Sequence, residues 1–434
     1  MQHIPDLTRR GLLVAAATGA AAPFLQPLTA AATGLPPVPQ GAPADAARDT
    51  AYWTRVRAEF DVDGSVTNLE NAYWGMLPRS VEAAYFDRLR FVNRHHVAYV
   101  RNWIEDRSYT AAMEDVRTRV AALIGCASDE VALARSGTEA LQNLIVNYRT
   151  LSAGDAVIYA DLDYPDMQMA MDSLVERRGV TVVRFAIPEP ATRANVVDAY
   201  DRILRATPRA KLLLVTHLSN RTGLVPPVAE IAALARARGV DVILDAAQTV
   251  GQIDFTLDEL DVDFAGFSLH KWVGAPLGTA GLYIKASRLQ DIAPHMGNGP
   301  EDAIGSRVFP GTTNFASLLT VPDALAFQDG LGGVARKEAR LKHLRRYWVE
   351  RVRSAQVEIL TPEDPALSGS VTSFRITGVA AESVQQILRE RHGVLTVART
   401  GIANGDAVRV TPALYNTEAD LDRLVEGIRS IAAG

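Results

Sequence analysis

Asp245 closes the apolar run Val240–Leu244, and Lys271 follows Ser268-Leu269-His270 just past a second run, Phe264–Ser268. A carboxylate and an amine at neighbouring strand ends could simply form a salt bridge. Lys271, however, opens Trp272-Val273-Gly274-Ala275-Pro276-Leu277-Gly278, an apolar, glycine-rich stretch. Loss of water in such surroundings lowers a lysine's pKa and leaves a nucleophilic amine suited to an aldehyde. Upstream, Arg135-Ser136-Gly137-Thr138-Glu139 stands where a strand gives way to a helix. Alone, it is equally a glycine turn with a threonine cap, but its N–H groups and the Thr138 hydroxyl also make an anion site. The three features together supply what a phosphorylated pyridinium cofactor requires. They offer a lysine for its aldehyde, a carboxylate for its ring nitrogen and donors for its phosphate.

These residues need a scaffold that brings strand ends together. Val131–Ala134, Ala156–Ala160, Val180–Phe185, Leu212–Thr216, Val240–Leu244, Phe264–Ser268 and Ala280–Ile284 read as strands. Glu139–Tyr148, Met167–Arg178, Val197–Ala206 and Val228–Arg238 read as the helices between them. The alternation predicts an α/β domain with a mostly parallel sheet and one antiparallel strand. Ligands of such sheets sit at the carboxyl ends of the strands, which is where Asp245 and Lys271 fall. A second, smaller α+β region follows, with a long basic helix Val334–Val352 and strands Ser370–Ile376 and Ala407–Thr411. Thr417 and Asp420 form a capping box for a last helix, Glu418–Ile431. Arg345-Arg346 is expected on the outer face of the long helix. The expected divisions are 1–32 (targeting segment), 33–50 (linker), 51–75 (a segment joining the small domain), 76–315 (large domain) and 316–434 (small domain).

The ordered set Ser-Gly-Thr, Tyr-Pro, Thr-His-Leu-Ser-Asn, Asp-Ala-Ala-Gln, His-Lys, Gly-Thr-Thr-Asn, Arg-Thr-Gly and Val-Arg-Val-Thr…Tyr-Asn-Thr resembles the class V aminotransferases. These are pyridoxal-phosphate enzymes of fold type I, and the resemblance runs through nearly the whole chain after the N-terminal segment. It implies a large domain with a mostly parallel seven-stranded sheet and a small α+β C-terminal domain. It makes Lys271 the residue bonded to pyridoxal 5'-phosphate and the mover of the substrate proton. Asp245 would hold the ring nitrogen protonated, Gln248 would meet the phenolic oxygen, and Tyr164 would stack on the ring. Asn220 matches a polar position beside the cofactor. Gly137, Thr138, Ser268 and His270 would hold the phosphate, and Thr312 would reach the phosphate of a neighbouring subunit, implying a homodimer. Arg409 matches an arginine that pairs with the substrate carboxylate. Asn71 and Tyr73 lie in a segment resembling the family's N-terminal substrate segment, where plain packing is equally open to them. Tyr164 stands where sulfur-transferring members carry histidine, which favours the isopenicillin-N-epimerase-like branch.

The remaining composition bounds partners and place. Of 434 residues, 48% are hydrophobic and 22% charged, enough for a sizeable core. The formal charge is −5, which gives no reason to expect nucleic acid as a partner. Cys126 is the single cysteine, so no intrachain disulfide, cysteine-based metal site or late persulfide-forming cysteine is available. Arg9-Arg10 precede an apolar, alanine-rich stretch ending in Ala30-Ala31-Ala32, which reads as a twin-arginine export signal. The expectation is a periplasmic or otherwise exported enzyme acting on an amino group next to a carboxylate in an amino acid or peptide-like substrate. Its outcome would be transamination or related tailoring of a secreted metabolite, as similar exported members tailor the siderophore pyoverdine. An epimerase, a C–S lyase and a non-catalytic cofactor-binding protein are the alternatives. A nicotinamide dehydrogenase ranks below them, for no glycine triad opens the first strand–helix unit.

Overall fold

The computed structural model describes residues 34–434, apart from Asp106, Asn298 and Pro310. The export-signal reading of 1–32 therefore lies outside the described residues. Residues 34–50, linker-like in composition, dock on the fold. They carry α1 (Pro43–Ala46), with Ala46 and Ala47 buried. Trp53 Nε1, in α2 (Thr50–Arg57), donates to Ala46 O at 2.8 Å, and Arg340 donates to Ala47 O at 3.1 Å. After α2 come β1 (Thr67–Asn68), α3 (Arg79–Val100) and α4 (Tyr109–Ile124).

The large domain then alternates as the apolar runs predict. In order come β2 (Val131–Ala134), α5 (Gly137–Val146), β3 (Ala156–Ala160), α6 (Pro165–Arg178), β4 (Thr181–Phe185) and α7 (Arg193–Ala206). Next are β5 (Ala210–Thr216), α8 (Val228–Arg236), β6 (Asp241–Asp245), α9 (Leu257–Leu260), β7 (Phe264–Ser268) and β8 (Ala280–Ile284). The sheet order is β2-β8-β7-β6-β5-β3-β4. β8 alone runs against the other six strands.

Successive strand residues face opposite sides, and each side feeds its own apolar cluster. Leu213, Val215, Val242, Leu244, Ala265 and Phe267 pack on one face. Leu212, Leu214, Ile243 and Phe264 pack on the other, with Leu141 and Leu144 of α5. Asp245, Gly266 and Ser268 share the parity of Ile243 and Phe264, so they stand on the α5 side. That parity turns a carboxylate and a hydroxyl toward the start of α5.

The small domain follows α10 (Phe315–Leu319), α11 (Val321–Gly330) and α12 (Val334–Val352). It contains β9 (Val357–Ile359), β10 (Thr372–Ile376), α13 (Ala381–His392), β11 (Val394–Leu395), β12 (Val397–Arg399), β13 (Ala407–Val410) and α14 (Glu418–Ala432). Its antiparallel sheet is ordered β12-β13-β10-β9, while β1 pairs in parallel with β11. Packing changes domain within α12, since Leu341 joins the large-domain cluster and Leu344 and Trp348 join the small-domain one. The Thr417 cap forms, its side chain accepting from Asp420 N. Arg345 corrects the outer-face expectation. It is buried, its Nε donates to Thr372 Oγ1 at 3.1 Å and its Nη2 to Pro362 O at 2.6 Å, while Arg346 stays exposed. Trp348 is fully buried against Phe374. Trp348→Ala is expected to destabilise the small domain by about 3–5 kcal/mol, read as a lower midpoint in denaturant.

Candidate active site

The site forms where α5 begins beside the carboxyl ends of β6 and β7. Gly137 is the residue that allows the approach. A Cβ there would lie 2.7 Å from Ser268 Oγ and 3.4 Å from Ala247 Cβ. Ser136 caps the helix by accepting from Glu139 N at 3.1 Å. The amides of Gly137 and Thr138 belong to the first turn and have no intrahelical partner. Ser268 Oγ and the Thr138 hydroxyl make no hydrogen bond among the described residues, so donors converge on this hollow.

Asp245, at the end of β6, is buried and uses one oxygen, Oδ1, to accept from Ala247 N at 2.9 Å. Burial raises its pKa, and the nearby charge of Lys271 opposes that rise. Lys271 is held down to about 8, chiefly by burial. Asp245 pulls it upward, and the charges of Arg409 and Arg399 push it further down. An amine in this condition is available as a nucleophile near neutral pH.

The backbone of the Lys271 turn is locked from two sides. Gly75 N donates to His270 O at 2.8 Å, and a Cβ on Gly75 would fall only 2.0 Å from Lys271 O. Trp272 Nε1 donates to Gln248 Oε1 at 2.8 Å, while Gln248 Nε2 donates to Ala72 O at 2.9 Å. Gln248 thus ties the N-terminal segment to the Lys271 turn, with one amide hydrogen left over. Lys337 donates to Trp272 O from beneath, beside a cavity of about 50 Å³ that Lys271 also lines. His270 Nδ1 donates to Thr279 O at 3.0 Å. Burial, aided by Lys271, lowers its pKa to about 4, so its Nε2 is an acceptor at neutral pH.

Asp163 is a further site residue, absent from the sequence reading although it precedes Tyr164. It accepts from Ala160 N at 2.7 Å and Thr216 N at 2.9 Å, clamping the ends of β3 and β5. Its burial raises its pKa to about 7. The clamp sets Tyr164 at the start of α6, where burial, Asp166 and Tyr73 raise the phenol's pKa. Tyr73 is 67% exposed and lies against Trp74 with ring centroids 5.0 Å apart. Asn71, by contrast, is turned inward. Its Nδ2 donates to Thr411 O at 2.8 Å and its Oδ1 accepts from Tyr415, so it braces the small domain.

Arg409 is 1% exposed and already engaged. Its Nη2 lies 2.5 and 2.7 Å from the Glu70 oxygens, and its Nη1 donates to Asn220 O at 2.9 Å. Asn220 Oδ1 is buried without a partner among the described residues. Glu70 was not singled out in the sequence; its position between Leu69 and Asn71, in the segment already suspected, is the signal that marks it. Thr312 stands apart from these residues. It is exposed, beside Arg135 and Phe309, in a separate cavity of about 680 Å³.

The sequence matches the family model for aminotransferase class V over residues 87–424. The chain belongs to that family. It is 29% identical to the isopenicillin N epimerase of Streptomyces clavuligerus over 404 residues, which cover 88% of this chain and 98% of the relative. It is 31% identical to a cysteine desulfurase of Pectobacterium atrosepticum over 413 residues, covering 87% and 97%. The fold superposes on the cysteine desulfurase CsdA of Escherichia coli with a TM-score of 0.74 at 21% identity, covering 87% and 98%. The chain is thus a fold-type I α/β protein, and the family's cofactor is pyridoxal phosphate. The hollow at Gly137, the unpartnered Ser268 and Thr138 hydroxyls, Asp245 Oδ2 and the Lys271 amine fit that group.

Capture of pyridoxal phosphate by the apoprotein is expected to accelerate as pH rises, with a midpoint near 8 rather than at the 10.5 of a free lysine. Deprotonation of Lys271 supplies the reacting amine, so the reaction slows below that pH. Stopped-flow absorbance from about pH 6 to about pH 11.5, which spans both values, checks the midpoint.

Proposed function

We propose that the protein is an exported pyridoxal-phosphate enzyme acting on an amino group next to a carboxylate. The observation that carries this reading is the buried Lys271 amine, opposed by Asp245 and bordered by the Gly137–Ser268 hollow. Pyridoxal phosphate, when bound, supplies an electron sink for negative charge developing beside the amino group. Asp245 Oδ2 holds a proton on the ring nitrogen. Lys271 Nζ removes and returns the substrate's Cα proton, and its depressed pKa suits both transfers. Tyr164 covers one ring face. Gly137, Thr138 and Ser268 hold the phosphate, and Arg399 and Arg409 supply positive charge for a carboxylate.

Within that class we favour transamination or related tailoring of a secreted metabolite, a siderophore being the substrate class in view. Arg9-Arg10 and the apolar stretch after them support export. The isopenicillin N epimerase relatives support epimerisation as the second reading. Persulfide formation is not proposed. Cys126 is the only cysteine, and burial pushes its thiol up to about 12, far from a reactive thiolate. A homodimer with shared sites belongs to the same proposal, supported by the exposed Thr312 outside this chain's own Lys271 cleft.

The test is incubation of the holoenzyme with amino donors in deuterated water. Conversion of the cofactor to its pyridoxamine form is expected for transamination. Deuterium exchange at Cα with the cofactor unchanged would select epimerisation, and pyruvate release would select elimination. Lys271→Ala is expected to lower any of these rates by about 10³-fold or more. Turnover retained by that variant would overturn the assignment.

A further inference from the structure

Lys337 stands in the first turn of α12, 6% exposed. Its Nζ donates to Trp272 O, and its second acceptor is Gln328 Oε1 of α11 at 3.4 Å. It has no ion pair among the described residues, and burial alone lowers its pKa to about 7. The surroundings are apolar, for Phe60, Phe327, Leu331 and Leu341 line the same cavity of about 50 Å³. An amine buried with two neutral acceptors costs stability that an apolar side chain of similar length would not. Support of the fold therefore does not account for Lys337, and the group it touches must.

That group belongs to the turn carrying Lys271, where three successive carbonyls are held. His270 O accepts from Gly75 N at 2.8 Å, Lys271 O accepts from Gly274 N at 3.3 Å, and Trp272 O accepts from Lys337. The first two contacts are made by backbone, and the third depends on a side chain. With all three in place, the peptides around Lys271 keep one orientation, and so does the bond from which its side chain leaves the backbone. Lys337 also sits at the start of the helix that carries Leu344 and Trp348 into the small-domain cluster. We infer that Lys337 is a positioning residue for Lys271: its hydrogen bond to the Trp272 carbonyl sets the direction from which the Lys271 amine meets the cofactor. The inference deepens the proposed function and rests on it, since it needs Lys271 to be the reacting amine.

The experiment compares the wild-type chain with Lys337→Met and Lys337→Arg. It reads the melting temperature of the apoprotein, the rate of pyridoxal phosphate capture and the visible circular dichroism of the bound cofactor. Lys337→Met is expected to melt at or above the wild-type temperature. Its capture of pyridoxal phosphate should nonetheless slow by about 10- to 100-fold, the scale of a small misplacement of a reacting group. Its visible circular dichroism should change, because the cofactor's setting follows the direction of Lys271. Lys337→Arg, which keeps a donor, should recover part of both. Capture by Lys337→Met within twofold of wild type, with the same visible circular dichroism, would overturn the inference. A melting temperature clearly below wild type would make the amine a support of the fold and overturn it as well. Borohydride reduction of the wild type separates these failures from an earlier one. Cofactor fixed on Lys271 leaves the proposed function standing whatever the variants do. A visible band that resists borohydride would refute the cofactor reading and take this inference with it.

Discussion

Everything at this site depends on holding a lysine amine in the interior beside a single carboxylate. Burial pulls the Lys271 proton off, Asp245 holds it on, and the two arginines tilt the balance toward the free amine. A lone buried ammonium would be expelled or neutralised, and a lysine paired too closely would be inert. The sheet resolves this by ending β6 in Asp245 and β7 in Ser268 on the α5 face, with Lys271 three residues beyond. Gly75 and Gly137 let backbone and helix approach closely enough to close the space around it.

A second electrostatic arrangement sits across the domain junction. Glu70 comes from the N-terminal segment, Arg399 and Arg409 come from the small-domain sheet, and Asn220 comes from just past β5. Because Arg409 pairs with Glu70, the small domain is tied to the N-terminal segment by a charge pair whose arginine is buried. Arg399 approaches the same carboxylate, its Nη2 3.8 Å from Glu70 Oε1.

The large-domain scaffold was legible because its strands are buried on both faces. Val131–Ala134, Phe264–Ser268 and Ala280–Ile284 keep the bounds that their apolar runs imply. Asp245 and Lys271 were legible because they follow such runs. The partner of Arg409 was not, since nothing local links Glu70 to a residue on a strand at the far end of the chain. Arg345 misled for a related reason. A basic residue on a helix reads as exposed, yet its long stem carries the guanidinium inward to the Thr361 and Pro362 carbonyls. Residues 34–50 misled through composition, because alanines that suit a tether also fit tightly beneath Trp53 and Arg340.

The central claim is that Lys271 is the lysine that bonds the cofactor. The sequence contains five lysines, at 211, 271, 285, 337 and 342, which makes the choice open to direct measurement. Lys337 is the informative competitor, since burial lowers its pKa to about 7 and it lines the same small cavity. Borohydride reduction of the holoenzyme, followed by digestion and mass spectrometry, reads the attachment site. The account requires the cofactor on the peptide containing Lys271 and on no other. Attachment at Lys337, or at any other lysine, would contradict it.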